Sequence, residues 1–535
     1  MKDISFASPR VKCVTSGKLK NQNIDNGITF LKQPIAIGCL SISDPNIELS
    51  IDEDKYVAEI DDLMMSGFSS RLYGADSYLK VDSARINRPL VNIDRGTGDG
   101  VKKTSRSLSK NSVYENVGKY AQRLDLRNVS ITSADIYYTD KSLKDHDLLK
   151  DQKLNNTSLS FDQFVLDAAT ENFEVSGIAF HTEDVKIPID SGFYSLSVGE
   201  IDLSEKDSSL RVDKVALKSP FSKQEFALRH PLHQDWFDVE VGSVAADGLD
   251  FQVGLKDKSL NADILSIDKV LLQNFKNQQI EVPHRIVPFI YEGLQNLPLA
   301  VNIDSVDIND FTVVYEELAK KGEIPGKIFF SGMNGRISNF TNQESKDNDF
   351  ITLRADGRLM GAADFDATWM IPIARSNDNF LLDAKVYNYD LTDLNQLITP
   401  LFPMAAVNNG YMDSLSLSIS ASSIDARVRM SLLYGDLGAD ILKEKNGVYS
   451  KHKFYSWLAN VIIRNNNPRR VGRQPLTSDL YVVRDPYHSI FNYLWQIMRP
   501  ASIEAVGVSE KLQKLSQDNI FTRMRNRKKK DIVEE

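Results

Sequence analysis

One spacing recurs along this chain: apolar-x-apolar, two residues, apolar-x-apolar, two residues, apolar-x-apolar-x-apolar. From Leu124 it reads LDLRNVSITSADIYY, with Leu124, Leu126, Val129, Ile131, Ala134, Ile136 and Tyr138 in frame. From Val301 it reads VNIDSVDINDFTVVY, with Val301, Ile303, Val306, Ile308, Phe311, Val313 and Tyr315 in frame. VEVGSVAADGLDFQV from Val239 and LKVDSARINRPLVNI from Leu79 fit, as does IAIGCLSISDPNIEL from Ile35 with Pro45 at one apolar position. AEIDDLMMSGF from Ala58 and LSIDKVLLQNF from Leu265 are shorter copies. In a chain that is 42% hydrophobic, chance supplies roughly one seven-position match, and fewer when polar residues must intervene. Five near-full copies therefore mark an internal repeat.

Alternation places one strand face inward, and a two-residue gap flips the next apolar side chain outward. A β-bulge adds one residue and restores the face. The gaps hold bend-friendly pairs such as Asp82-Ser83, Asp304-Ser305, Asn309-Asp310 and Asp247-Gly248. Bulged strands twist and bend. The frame therefore predicts a mainly β fold: an elongated, curved, repeating β-sheet groove, taco-like, with one apolar face. A conventional β-sandwich alternates too, but its strands have no reason to share this frame.

Strand-like alternation continues in YSLSVGEIDLS (194–204), SLRVDKVALKS (209–219), 350–373 and 414–437, the last two reading as hairpins. Helical spacing appears at 284–297 and 391–402 as short insertions, then at 454–464, 488–498 and 503–517. The expected organisation is N-terminal β repeats over 1–94, an exposed Gly/Ser/Lys-rich loop over 95–112, and a β repeat body over 113–440. A partly helical C-terminal region with a basic tail follows over 441–535.

Composition narrows the chemistry. The formal net charge of −9 disfavours nucleic acid as a partner, because phosphate contacts need basic surface. Two cysteines, Cys13 and Cys39, cannot build a four-ligand zinc site or a disulfide scaffold. No apolar run reaches the ~18 residues of a membrane-spanning helix. His230 and His233 in HPLH are interrupted by Pro231 and read as solvated loop histidines; His181, His284, His452 and His488 stand alone. GTGDG (96–100) lacks the helix that a phosphate loop requires, and GMNG (332–335) reads as a turn. No catalytic, metal or cofactor constellation emerges, and the expectation is a non-enzymatic protein without a cofactor. RMRNRKKK at 523–530 is either a solvated tail or a contact for anionic lipid headgroups.

The short repeated strands, together with GKIFFSGMNGRISNFTN (326–342), ADFDATWMIP (363–372), MSLLYGDLGADIL (430–442) and the NNNP at 465–468, resemble the AsmA-like family of bacterial envelope proteins, related to TamB-type proteins, in its Bacteroidetes form. The resemblance implies a periplasmic, inner-membrane-associated protein that binds or bridges phospholipid or other acyl lipid in outer-membrane biogenesis or maintenance. Leu124, Leu126, Val129, Ile131, Val301, Ile303, Val306 and Ile308 are then the expected lipid-groove lining. Such proteins carry an N-terminal membrane helix. ISFASPRVKC (4–13) matches only the last five frame positions, so an anchor upstream of Met1 is expected. The alternative is a structural or adhesive β-protein with a closed, packed core.

Overall fold

The two-residue gaps are where the backbone departs from extended geometry. At the second gap residue, Asp44, Arg88, Asn128, Ser133, Lys214, Lys269 and Asp310 have φ between 44° and 55°. One left-handed residue turns the chain so that the next apolar side chain rejoins the inner face, as in a bulge. In Arg123–Asp140, Val129 and Ala134 are buried, whereas Arg127, Asn128, Thr132 and Ser133 at the gaps are exposed. The gap at Asp304-Ser305 is handled by two strands together. Asn339 on the neighbouring strand has φ 59°, and the pairs Ile303↔Phe340, Ser305↔Ser338, Val306↔Ile337 and Ile308↔Gly335 keep one register. Ile303 and Val306, three apart, are both buried. Ile308, two beyond Val306, shares that face.

The computed structural model describes residues 4–507 apart from 8–9, 15–34, 52–53, 72–75, 97–113, 115–117, 119–120, 141–150, 231–233, 252–258, 281–285, 298, 321, 344–348, 374–377, 403–404, 446–447, 454–455, 457–459, 461–462 and 488–489. Most of the loop over 95–112, His233, His284, His488 and the basic run 523–530 thus lie outside the described residues. The chain is mainly β and divides into two compact units. The first contains 1–220 and 241–251; the second contains 221–240 and 252–535. The division runs through the stretch read from the sequence as one repeat body.

In the first unit the strands used below are β1 (Ile35–Ser43), β2 (Asp62–Arg71), β3 (Ser83–Asn87), β4 (Arg123–Asp140), β5 (Asp151–Asp167), β6 (Ala179–Ile189), β7 (Tyr194–Ser204) and β8 (Ser209–Lys218). β4 pairs in parallel with β3 and with the flanking strands Tyr78–Val81 and Leu90–Arg95. The remaining pairs among β1–β8 are antiparallel.

The second unit contains β9 (Ser259–Asn277), β10 (Ala300–Leu318), β11 (Gly326–Thr341), β12 (Phe350–Leu359), β13 (Ala363–Pro372), β14 (Phe380–Asp390), β15 (Ala405–Ala421), β16 (Asp425–Lys445) and β17 (Thr477–Val483). β9 and β10 are parallel, which requires a crossover, and the crossover supplies a short helix. The helices here are α1 (Lys223–Arg229), α2 (Ile290–Gln295), α3 (Asn395–Leu401) and α4 (Ile490–Ala505). Tyr493, Ile497, Ala501 and Ala505, spaced by four on one face of α4, are fully buried against Ile419, Val428, Met430 and their neighbours. The alanines let the helix lie close to the sheet.

Three expectations change. The 441–535 region also supplies strands, Val448–Lys451 and β17. GMNG lies inside β11 rather than in a turn, with Gly332 in the left-handed region at φ 55°. His230 is buried and stacks on Phe226 at 5.3 Å, because it closes α1 by donating its backbone N–H to the Phe226 carbonyl.

Candidate apolar binding face

Cross-strand register converts the repeat into continuous apolar rows. In the first unit one row runs Ile42, Leu63, Ile86, Ile131, Leu159, Phe180, Leu203, Leu210 across β1 to β8. Parallel rows run Val81, Leu126, Phe164, Val175 and Leu79, Leu124, Leu166, Phe173. Ile42 and Leu63 are buried, and the other six residues of the long row are half-buried. Farther along the same face Ile187 and Ile189 are each 39% exposed. Among the described residues, the helical positions of this unit are Tyr114, Gly118, the short turn Asp190–Gly192 and Phe251, and Tyr114 is buried. Gly118, a helical residue, lies beside Ala168, beyond Leu166 at the strand end.

At the opposite strand end the apolar face meets a polar cluster. Tyr138 Oη donates to Asp140 at 3.3 Å, and Arg95 reaches the same carboxylate at 3.4 Å. Burial pushes the nearby Tyr56 phenol up, with Asp54 adding to the shift.

The second unit builds a matching row: Leu265, Val306, Ile337, Leu353, Trp369, Leu382, Ile419, Val428, Leu480, across nine strands. Here helices lie over the face. α4 packs on β16 and β17, and α3 packs on β11 and β15. Phe289, ahead of α2, stacks on Phe380 at 5.8 Å, with the Arg484 guanidinium 4.9 Å above its ring. Burial raises the Tyr434 phenol to about 12.

The eight expected lining residues therefore fall into two settings. Leu124, Leu126 and Ile131 are half-buried and Val129 is buried, all in the first unit. Val301, Ile303 and Val306 are buried and Ile308 is half-buried, in the second.

The opposite face of the second unit is polar. The row Asp307, Arg336, Arg354, Thr368, Asp383, Ser418, Arg429, Asp479 borders, from Asp307 to Arg429, an open trough of about 900 Å³. Arg336 forks onto Asp307 at 2.6 and 2.8 Å. Hydrogen bonds from Arg427, opposed by desolvation and reinforced by Arg429, hold the Asp479 carboxyl down at about 2. Cations and carboxylates are mixed here in similar number, so the trough favours neither sign of ligand.

His181 is not isolated. Its Nδ1 lies 2.7 Å from Asp202 and its Nε2 3.3 Å from Glu183, with Glu200 3.8 Å from Nδ1. His181 faces Asp202, and Glu183 faces Glu200, across β6 and β7. The Asp202 hydrogen bond, opposed by desolvation and aided by Glu183, raises the imidazole pKa. His181, Glu200 and Asp202 offer three donor atoms within 4.8 Å of one another. With carboxylates at both ring nitrogens, the geometry suits an imidazolium ion. The sequence hides this cluster because its members are up to 21 residues apart and meet only through strand register.

No family model matches this chain, and no curated protein matches it.

Proposed function

We propose that the chain is a non-enzymatic lipid-binding or lipid-bridging protein, with the apolar rows of the first unit as the acyl-chain surface. The observation that carries this reading is the contrast between two similar rows. Both are half-buried over most of their length, but α3 and α4 pack on strands of the second row, whereas no comparable helix is described over the first, which runs through Ile131, Leu159 and Phe180. An apolar strip of this extent gains roughly 25 cal/mol for each Å² removed from water, so acyl chains are a fitting cover. The Arg95, Tyr138 and Asp140 cluster would then lie at the rim, near headgroups. Residence in the periplasm beside the inner membrane, and a role in outer-membrane biogenesis, belong to the same proposal and rest on the resemblance to AsmA-like proteins. The second reading, a structural protein with a closed core, is favoured by the packing under α4 and applies to the second unit.

The test uses adjacent residues of β5 that point to opposite faces. Purified full-length protein should carry acyl lipid detectable by mass spectrometry. Leu159→Asp should abolish that lipid, whereas Ser160→Asp should retain it. Wild-type protein free of lipid after expression in a lipid-rich envelope, or equal lipid in the two variants, contradicts the reading.

A further inference from the structure

We propose that β17 is a self-complementary sheet edge through which two copies of this chain pair antiparallel about Leu480. β17 pairs with β16, and among the described residues no strand lies on its other side. The orientation of its backbone follows from one hydrogen bond. The Arg484 N–H donates to the Ile424 carbonyl at 2.9 Å, so Val482, Leu480 and Ser478 turn their backbone groups toward β16. By the alternation of an antiparallel ladder, Thr477, Asp479, Tyr481 and Val483 turn theirs outward.

Those four residues can pair with the same four of a second copy. In the register centred on Leu480, Thr477 faces the second copy's Val483 and Asp479 faces its Tyr481. The ladder closes with about eight inter-chain hydrogen bonds. No like charges meet. Asp479 is already neutralised by Arg427 at 2.9 Å and Arg429 at 3.3 Å. On the apolar face Leu480 meets its own copy, so the row from Leu265 to Leu480 continues unbroken into the second molecule.

The surroundings fit such a contact. Natural edges are guarded by Pro, Lys or inward charges, and TSDLYVV contains no Pro and no Lys. Two of the four outward residues carry large exposed side chains: Tyr481 is 74% exposed and Val483 78%. A two-fold contact of this kind closes on itself and yields a dimer rather than a fibre.

The experiment is sedimentation velocity on the full-length chain across micromolar concentrations, with hydrogen exchange read at the same concentrations. Wild type should double its mass as concentration rises, and the Asp479, Tyr481 and Val483 amides should slow in parallel. Tyr481→Pro removes the outward N–H that bonds Asp479 of the other copy, twice by symmetry, and should weaken dimerisation about tenfold. Tyr481→Thr keeps that N–H and should preserve the dimer, as should Leu228→Asp on the distant, 77% exposed surface of α1. Both positions are exposed and the edge tolerates Pro where the N–H points outward, so melting temperatures should stay at the wild-type value. A wild type that remains monomeric, species larger than a dimer, or equal weakening by Pro and Thr at 481 overturns the proposal.

Discussion

At the scale of single residues, the repeat depends on a few backbone positions that L-amino acids disfavour. Asp310 sits exposed at φ 54°. Replacing it with β-branched valine should cost about 1–2 kcal/mol, whereas Asp310→Gly should stay near wild type; thermal melts of the pair measure the difference. Part of this was legible. Asn128 and Asp310 are turn-forming types at the gaps of a visible apolar frame, but Arg88, Lys214 and Lys269 give no such sign, because there the frame imposes a conformation that the residue does not favour. His181 belongs to the illegible class, since its partners come from strand pairing. Its folded pKa is raised, so its contribution to stability is complete below the unfolded value of about 6.5 and is lost as pH rises through the folded value. Stability should therefore fall with rising pH in that window, and His181→Gln should flatten the fall; melting curves between pH 5 and 9 read both. Asp479 has the opposite sign. Its stabilisation is present above the unfolded carboxylate value and is lost as pH falls through about 2.

At the scale of elements, two positions on β10, four residues apart, separate the faces. Ile303 is 2% exposed, and Ile303→Asp should cost several kcal/mol by burying an unpaired charge. The frame alone makes Asp307 an outer-face residue of little weight. The structure adds the forked contact with Arg336, so Asp307→Lys should cost about 1 kcal/mol by setting like charges side by side. α4 offers a packing test. The apolar spacing at 488–498 predicts its first half, and Pro500 argues for a stop there. The helix instead runs to Ala505, because burial of Ala501 and Ala505 outweighs the lost backbone bond. Ala501→Leu should then overpack the contact and lower stability by about 1–3 kcal/mol, measured by denaturant unfolding. β17 escaped the sequence reading for a related reason: seven residues among turn-rich neighbours carry too short an alternation to stand out beside the helical patterns around them.

At the scale of the molecule, the repeat frame dictated the mainly β architecture, while the units and their covers depended on contacts that no local pattern encodes. The same apolar row is written into both units, yet helices lie over the second and no comparable helix is described over the first. On the proposed lipid-binding reading that difference decides which row takes an acyl chain, and it arises from where α2, α3 and α4 pack rather than from the strands themselves. The most direct test is photolabelling of the full-length chain with a phospholipid carrying a diazirine in its acyl chain, followed by peptide mapping. Adducts are predicted on Ile131, Leu159, Phe180 and Leu203, with none on Trp369, Ile419 or Val428. Labelling that falls equally on both rows, or on Ser130 and Ser160 of the opposite face, or on neither unit, would contradict the account.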